Sequence, residues 1–134
     1  MLNVRTRTEY SFRKAYGPLS KVIEACEGDT IGIADSGTWG HVAFNSACRS
    51  AGKKPLFGVE IPVVNDPVAR ERQPANGMCF IARTNSGLKE IYELVTRSTC
   101  KENFYYFNRL GYSDLFDISD NVIIISGTLP EWGM

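Results

Sequence analysis

The sequence predicts an α/β fold with a mostly parallel sheet flanked by helices. Through the first half of the chain, short apolar segments typical of strands alternate with segments of helical periodicity. A strand–helix–strand–helix–strand order requires crossover helices, which make the strands parallel. A chain of 134 residues that is 43% hydrophobic can bury its own core, so a single domain over residues 1–134 is expected.

The first half supplies three predicted strands and two predicted helices. Residues 4–8 alternate β-branched and charged side chains, as a short strand does. Apolar residues at i, i+3, i+4 and i+7 predict a helix over Leu19–Cys26. Thr30–Asp35 is apolar on both faces, as expected for a strand covered by helices. A second helix follows from about Gly40 to Ala51, and a third strand runs from Pro55 to Val64. Asp35 and Glu60 are then expected at or near the C-terminal ends of their strands, where parallel α/β folds assemble sites.

The second half begins with a polar interruption. Asn65 to Gly77 contains two prolines and several charged residues, which predicts a mobile loop. A strand is then predicted over Met78–Arg83. A helix follows, with its N-cap at Asn85-Ser86 and its end near Val95.

The end of the chain is aromatic and then apolar. The aromatic run within Asn103–Leu110 is expected to pack an irregular segment onto the core, although its Tyr105 and Tyr106 also suit the stacking of bases. A short helix is predicted to start at Ser113, and a last buried strand covers residues 121–126.

Charge and hydropathy exclude several classes of protein. The net charge is zero, so nothing global attracts the chain to nucleic acid or to an anionic membrane. Charged residues from Arg5 to Lys14 interrupt any signal peptide, and no apolar run approaches the roughly 20 residues of a membrane span. A cytoplasmic location is therefore expected.

Three short segments carry the strongest functional signal. They read Arg5-Thr6-Arg7-Thr8-Glu9-Tyr10-Ser11, Asp35-Ser36-Gly37 and Gly58-Val59-Glu60. In order and spacing they resemble the opening motifs of the PHP (polymerase and histidinol phosphatase) domain, in particular the one that begins bacterial DNA polymerase III alpha subunits. Those motifs read His-x-His-(Ser or Thr)-Glu-Tyr-Ser, Asp-His-Gly and Gly-(Cys or Val)-Glu.

The resemblance covers nearly the whole chain and has implications for its fold. Cys79–Gly87 is similar to the family's strand and following turn, Leu88–Thr99 to its next helix, and Val122–Gly127 to a later strand. The family fold is a distorted (β/α) barrel that is longer than this chain. The resemblance therefore implies the N-terminal half of the family domain, a partial (β/α) barrel, without the later motifs that supply further ligands.

The resemblance also implies a degenerate metal site, in which Arg5, Arg7 and Ser36 occupy the three His positions. Arginine cannot ligate a metal, because its guanidinium stays protonated and offers no acceptor. No catalytic residue is identified and no bound metal is expected, with Asp35 and Glu60 as the weak candidate ligands. The predicted vestigial site consists of Arg5, Arg7, Glu9, Asp35, Ser36 and Glu60.

Three uses of Arg5 and Arg7 stay open. They can pair with Asp35, Glu60 or Glu9 as an internal repair, project into solvent, or bind an external phosphate. His41 is the chain's one histidine and is expected at the surface, at the start of a helix.

The predicted function is a non-catalytic structural or protein-interaction module in DNA replication, of phage or mobile-element origin. Its expected partner is a replicase component or a second copy, and no cofactor is expected. One alternative is a metal-dependent phosphoesterase or 3′–5′ exonuclease that retains Asp35 and Glu60 and uses Mn, Zn or Mg. A second alternative is a nucleic-acid-binding module. Its residues would be Arg13, Lys14, Tyr105 and Tyr106.

Overall fold

A computed structural model of the chain describes residues 3–8, 10 and 18–126. The chain divides into two compact units, residues 1–59 and 60–134. One strand, β3 (Lys54–Val64), contributes its first part to one unit and its last part to the other. The single domain expected from chain length stays a prediction.

The first unit is a parallel β-α-β-α-β arrangement, as the sequence predicts. Strand β1 (Asn3–Thr6) pairs with β2 (Thr30–Asp35), and β2 pairs with the first part of β3, both in parallel. The crossovers contain the helices α1 (Leu19–Ala25) and α2 (His41–Ser50). The core combines helix and strand residues. It is formed by Leu19, Ile23, Ile31, Ile33, Phe44 and Cys48.

A lysine closes the C-terminal end of α1. The Lys53 ammonium donates to the carbonyl oxygens of Ile23 at 2.9 Å and Cys26 at 2.5 Å. These carbonyls belong to the last turn of the helix, where a cation also interacts favourably with the helix dipole. The contact holds the residue that precedes β3 against the helix that precedes β2.

The second unit contains β4 (Asn76–Ala82), α3 (Asn85–Thr99), β5 (Leu110–Gly111) and β6 (Val122–Ile125). A 3₁₀ helix, Tyr112–Leu115, follows β5 where the sequence predicts a short helix. The last part of β3 pairs with β5 in parallel, and β4 pairs with β6 antiparallel. Helix α3 packs against β4.

The hydrogen-bonded strand order is β1-β2-β3-β4-β6, with β5 beside β3. Among the residues described, β1 and β6 stand at the two ends of this order. The predicted fold class, an open and mostly parallel sheet flanked by helices, is thereby confirmed.

Two local predictions about α3 are wrong. Its N-cap is Thr84, whose hydroxyl oxygen accepts a hydrogen bond from the Gly87 N–H at 3.1 Å, and the helix starts at Asn85. It also continues past Val95 to Thr99. The added turn is polar but contains no helix breaker, and the hydroxyls of Ser98 and Thr99 donate to the Val95 carbonyl.

Candidate functional site: a buried carboxylate and an arginine-held loop

Asp35 is the best-defined residue of the predicted site. It is the last residue of β2, at the C-terminal strand end where the parallel order predicts it, and it is fully buried. The Thr8 N–H donates to its Oδ1 at 2.6 Å, and the Thr8 hydroxyl donates to its Oδ2 at 2.5 Å. Both carboxylate oxygens therefore accept hydrogen bonds from one residue of the first motif.

Aromatic residues connect the same two motif segments. The Trp39 indole N–H donates to the Tyr10 carbonyl at 3.0 Å. A Cβ added at Gly40 would lie 2.9 Å from the Tyr10 ring and 3.2 Å from the Asp35 Oδ2. The Tyr10 ring and the carboxylate thus both face Gly40, and only glycine leaves room for them.

His41 is buried, contrary to the surface position expected from the sequence. It is 4% exposed, its Nε2–H donates to the Gly58 carbonyl at 2.9 Å, and its ring packs on Phe57 at 5.4 Å between centroids. Desolvation lowers the pKa of His41, opposed by the hydrogen bond to Gly58 and by the Asp35 carboxylate. A donor is needed opposite a carbonyl, so the neutral tautomer with a proton on Nε2 fits this site.

The other residues of the predicted vestigial site are placed by the strands to which they belong. Arg5 lies in β1, and Arg7 and Ser36 follow β1 and β2; all three are half-buried. Glu9 lies outside the described residues. The internal repair by Arg5 or Arg7 stays a prediction.

Glu60 belongs to the second unit and is 8% exposed. The sequence places it near a strand end, which is wrong, since it is the seventh of the 11 residues of β3. The strand continues because Ile61 to Val64 are apolar and its last residues pair with β5. A Cβ added at Gly77 would lie 3.1 Å from the Glu60 Oε1.

The degenerate metal site stays a prediction, and the described side chains give it the following setting. Two arginines and a serine stand at the three His positions, and both Asp35 oxygens already accept bonds from Thr8. Within residues 3–8, 10 and 18–126, no three His, Cys, Asp or Glu side chains are grouped to share an ion.

The candidate nucleic-acid residues are only partly described. Arg13 and Lys14 lie outside the described residues. Tyr105 is half-buried and Tyr106 is 72% exposed, with their ring centroids 4.8 Å apart in an edge-to-face arrangement. The prediction that the aromatic run packs onto the core is therefore wrong for Tyr106, and for Phe104, which is 45% exposed.

Sequence reasoning missed Arg109, the largest fully buried side chain among the described residues, which is 1% exposed. Its guanidinium donates to the Asn103 carbonyl at 2.9 Å and to three carbonyls of the 65–77 loop. These are the carbonyls of Glu71 at 3.1 Å, Pro67 at 3.0 Å and Ala69 at 2.5 Å. No local pattern marks Arg109, whereas Thr8 could have been found from the Ser or Thr of the first motif.

A second arginine holds the loop from the other direction. Arg70, within the loop, donates to the carbonyls of Lys101, Glu102 and Phe104. The loop predicted to be mobile is thus bonded to residues 101–109 by two guanidinium groups. Arginine provides five donors in a fixed planar arrangement, which suits it to bind several carbonyls at once.

No helix in the described part of the chain has the length and apolar character required to cross a membrane.

Comparison with known proteins agrees with the motif resemblance. The sequence profile of the PHP domain matches residues 3–130. The chain is similar to DNA polymerase III subunit alpha of Borreliella burgdorferi, with 24% identity over 97% of this chain and 12% of that protein. The subunits of Haemophilus influenzae and Helicobacter pylori are each 26% identical, over 94% and 95% of this chain and 11% of each protein. The chain thus spans a small fraction of these relatives.

Proposed function

Because this chain belongs to the PHP domain family, we propose that it is a non-catalytic, metal-depleted PHP domain that acts as a structural or protein-interaction module in DNA replication. The observation that carries this proposal is the bonding of Asp35. This carboxylate would otherwise face a metal ion. It is buried, and its two oxygens accept hydrogen bonds from the N–H and the hydroxyl of Thr8.

The chemistry of the surrounding groups supports the loss of catalysis. Metal-dependent phosphoester cleavage needs an ion held by lone pairs and a bound water that the ion activates. Arg5 and Arg7 supply fixed positive charge in place of lone pairs, and the Nε2 of His41 is engaged with the Gly58 carbonyl. The described hydrogen bonds between Thr8 and Asp35 instead join the first motif segment to the second.

The replication context comes from the relatives, which are DNA polymerase III alpha subunits. Since the chain corresponds to only 11–12% of their length, we do not assign the activity of these whole proteins to this chain. A replicase component or a second copy of this chain is the proposed partner. A cytoplasmic location and a phage or mobile-element source, expected from the sequence, stay predictions.

The proposal that this domain has lost its metal ions is tested by elemental analysis of the protein after dialysis against Zn²⁺ or Mn²⁺. We expect the wild-type protein to retain far less than one ion per chain. The matched variant Arg5→His/Arg7→His/Ser36→His restores the three imidazoles of the family pattern and should bind Zn²⁺ more tightly than an Arg5→Gln/Arg7→Gln/Ser36→Gln control.

A stoichiometric ion in the wild-type protein would refute metal depletion. Hydrolysis of a phosphodiester by the wild type with Mn²⁺, abolished by Asp35→Asn, would instead support the phosphoesterase that retains Asp35 and Glu60.

The proposed role as a protein-interaction module is supported by the exposed apolar surface of β6. Ile123 and Ile124 are 45% and 40% exposed, so the burial predicted for the last strand is wrong, and β6 stands at one end of the described strand order. Apolar edge strands favour pairing with another chain, and zero net charge offers little repulsion.

We expect the mass measured by light scattering to rise with concentration, or a replicase component to be captured. Ile123→Thr/Ile124→Thr keeps β-branching while removing apolar surface, and should weaken either association. Val42→Thr, which changes an 80% exposed side chain on α2, is the control. A wild-type protein that stays monomeric and captures no replicase component would contradict the proposal.

A further inference from the structure

Tyr106 occupies a backbone conformation that tyrosine rarely adopts. Its φ is 63°, and it is the sole non-glycine residue with positive φ in the described part of the chain. The Tyr105 N–H donates to the Phe107 carbonyl at 3.2 Å, which places Tyr106 at the tip of a tight turn. The left-handed conformation costs roughly 1–2 kcal/mol for a residue with a Cβ. Burial of the ring does not offset this cost, since Tyr106 is 72% exposed.

The ring of Tyr106 belongs to an ordered row of cations and aromatic rings. The Arg109 guanidinium lies 5.2 Å from the Tyr105 ring centroid, the Tyr105 and Tyr106 centroids are 4.8 Å apart, and the Arg72 guanidinium lies 5.4 Å from the Tyr106 centroid. We call these four residues the cation–aromatic row. It runs from the buried Arg109 to the exposed Arg72.

The row is held on a fixed support. Arg109 bonds to three carbonyls of the loop that contains Arg72, and Arg70 bonds back to the segment that precedes Tyr105. An exposed aromatic ring on a rigid turn loses little conformational freedom when a ligand stacks on it. Conformational strain at an exposed residue on a rigid support is the pattern of a binding site.

We propose that the cation–aromatic row binds single-stranded nucleic acid, with a base stacked on Tyr106 and Arg72 next to the flanking phosphate. Bases in single strands stack on aromatic rings and on guanidinium planes, and the phosphate adds a charge that arginine recognises. This site is independent of metal depletion and of any protein partner. Tyrosine and arginine are also enriched in protein interfaces, so a protein occupant is one of the outcomes that the test below distinguishes.

The charge around the row determines how salt should act on binding. The segments 65–74 and 101–109 contain four cations and three carboxylates. With one net positive charge, stacking must supply most of the affinity. The logarithm of the binding constant should therefore fall with the logarithm of salt concentration at a slope of only about −0.7, the value for one phosphate of a single strand.

Fluorescence anisotropy with a labelled oligothymidylate of about 16 nucleotides, the upper size covered by one small binding fold, tests the proposal. Tyr106→Gly is the informative variant, because glycine adopts positive φ freely and removes the ring. It should be at least as stable as the wild type in urea unfolding and bind the oligonucleotide about tenfold or more weakly, as loss of one stacked base predicts. Tyr106→Phe should bind as the wild type does. Phe116→Ala, which removes an 83% exposed ring elsewhere in the second unit, is the control and should also leave binding unchanged.

Three results would overturn the proposal. They are an absence of saturable binding by the wild type, equal binding by Tyr106→Gly, and equal affinity for a duplex of the same sequence. Unchanged oligonucleotide binding by Tyr106→Gly with loss of a captured protein would assign the ring to a protein interface, which also refutes it.

Discussion

Arg109→Met is expected to lower the free energy of unfolding by about 3–5 kcal/mol, since one buried and three partly buried acceptors lose their donor at once. A buried acceptor left unpaired costs about 1–3 kcal/mol, and a partly buried one costs less because water can reach it. The side chain is 1% exposed and donates to the carbonyls of Asn103, Pro67, Ala69 and Glu71. Burial and the nearby Arg70 lower the pKa of Arg109, but arginine stays protonated at neutral pH and keeps all five donors. Methionine fills much of the volume and supplies none of them.

Urea unfolding followed by circular dichroism measures this loss. Arg109→Lys should fall between the wild type and Arg109→Met, because one ammonium offers three donors from a single point and cannot span all four carbonyls. Arg83→Met is the matched control, since Arg83 is exposed and the hydrogen bond described for its guanidinium, to the Asp120 carbonyl, is 3.3 Å long. Equal losses for Arg109→Met and Arg83→Met would mean that the loop does not depend on the buried guanidinium.

The same variant links stability to the proposed nucleic-acid site. Arg109 supports Tyr105 and the loop that contains Arg72, so its removal should weaken oligonucleotide binding together with stability. Tyr106→Gly separates the two effects, because it leaves the arginine bonds in place. Loss of both stability and binding in Arg109→Met, with loss of binding alone in Tyr106→Gly, would therefore distinguish the support from the stacking ring.

Periodicity and strand order predicted the first unit well. The apolar runs at Thr30–Asp35 and Pro55–Val64 appear as β2 and β3, and the parallel crossover rule correctly places Asp35 at a strand end. The same rule fails for Glu60, although the predicted end of this strand at Val64 is correct, because four apolar residues follow Glu60 within β3. The rule gives the edge of the sheet at which strands end, and a residue inside a long strand does not reach that edge.

The bonds that define the two sites could not be predicted in this way. Thr8 reaches Asp35 across 27 residues, and Arg109 reaches the loop carbonyls across about 40. A buried arginine or histidine contradicts the usual partition of polar residues, and is stable only where tertiary structure supplies acceptors. For His41 that acceptor is the Gly58 carbonyl, and nothing near either residue in sequence indicates the pairing.

Asp35→Ala is expected to lower the free energy of unfolding by about 2–5 kcal/mol, since the buried N–H and hydroxyl of Thr8 both lose their acceptor. Asp35→Asn should cost less, because its carbonyl oxygen still accepts from one donor. Thr8→Val removes the hydroxyl bond to Asp35 and the longer bond, 3.2 Å, that this hydroxyl accepts from the Tyr10 N–H. It should cost about 1.5–3 kcal/mol alone, chiefly for the bond to a charged group. In the Asp35→Ala background the same change should cost clearly less, because the two residues share one interaction. Asp29→Ala, at an exposed carboxylate before β2, is the control.

These variants also decide between a structural and a catalytic carboxylate. A structural Asp35 predicts that stability falls in the order wild type, Asp35→Asn, Asp35→Ala, with strong coupling to Thr8. A metal ligand predicts the reverse pattern. In the absence of metal, a ligand carboxylate repels its neighbours, so its replacement leaves stability unchanged or raises it. The same replacement abolishes any Mn²⁺-dependent hydrolysis. Two donors within 2.6 Å of a fully buried carboxylate favour the first outcome. Additive effects of Thr8→Val and Asp35→Ala, with no loss for Asp35→Ala beyond that of Asp29→Ala, would contradict it.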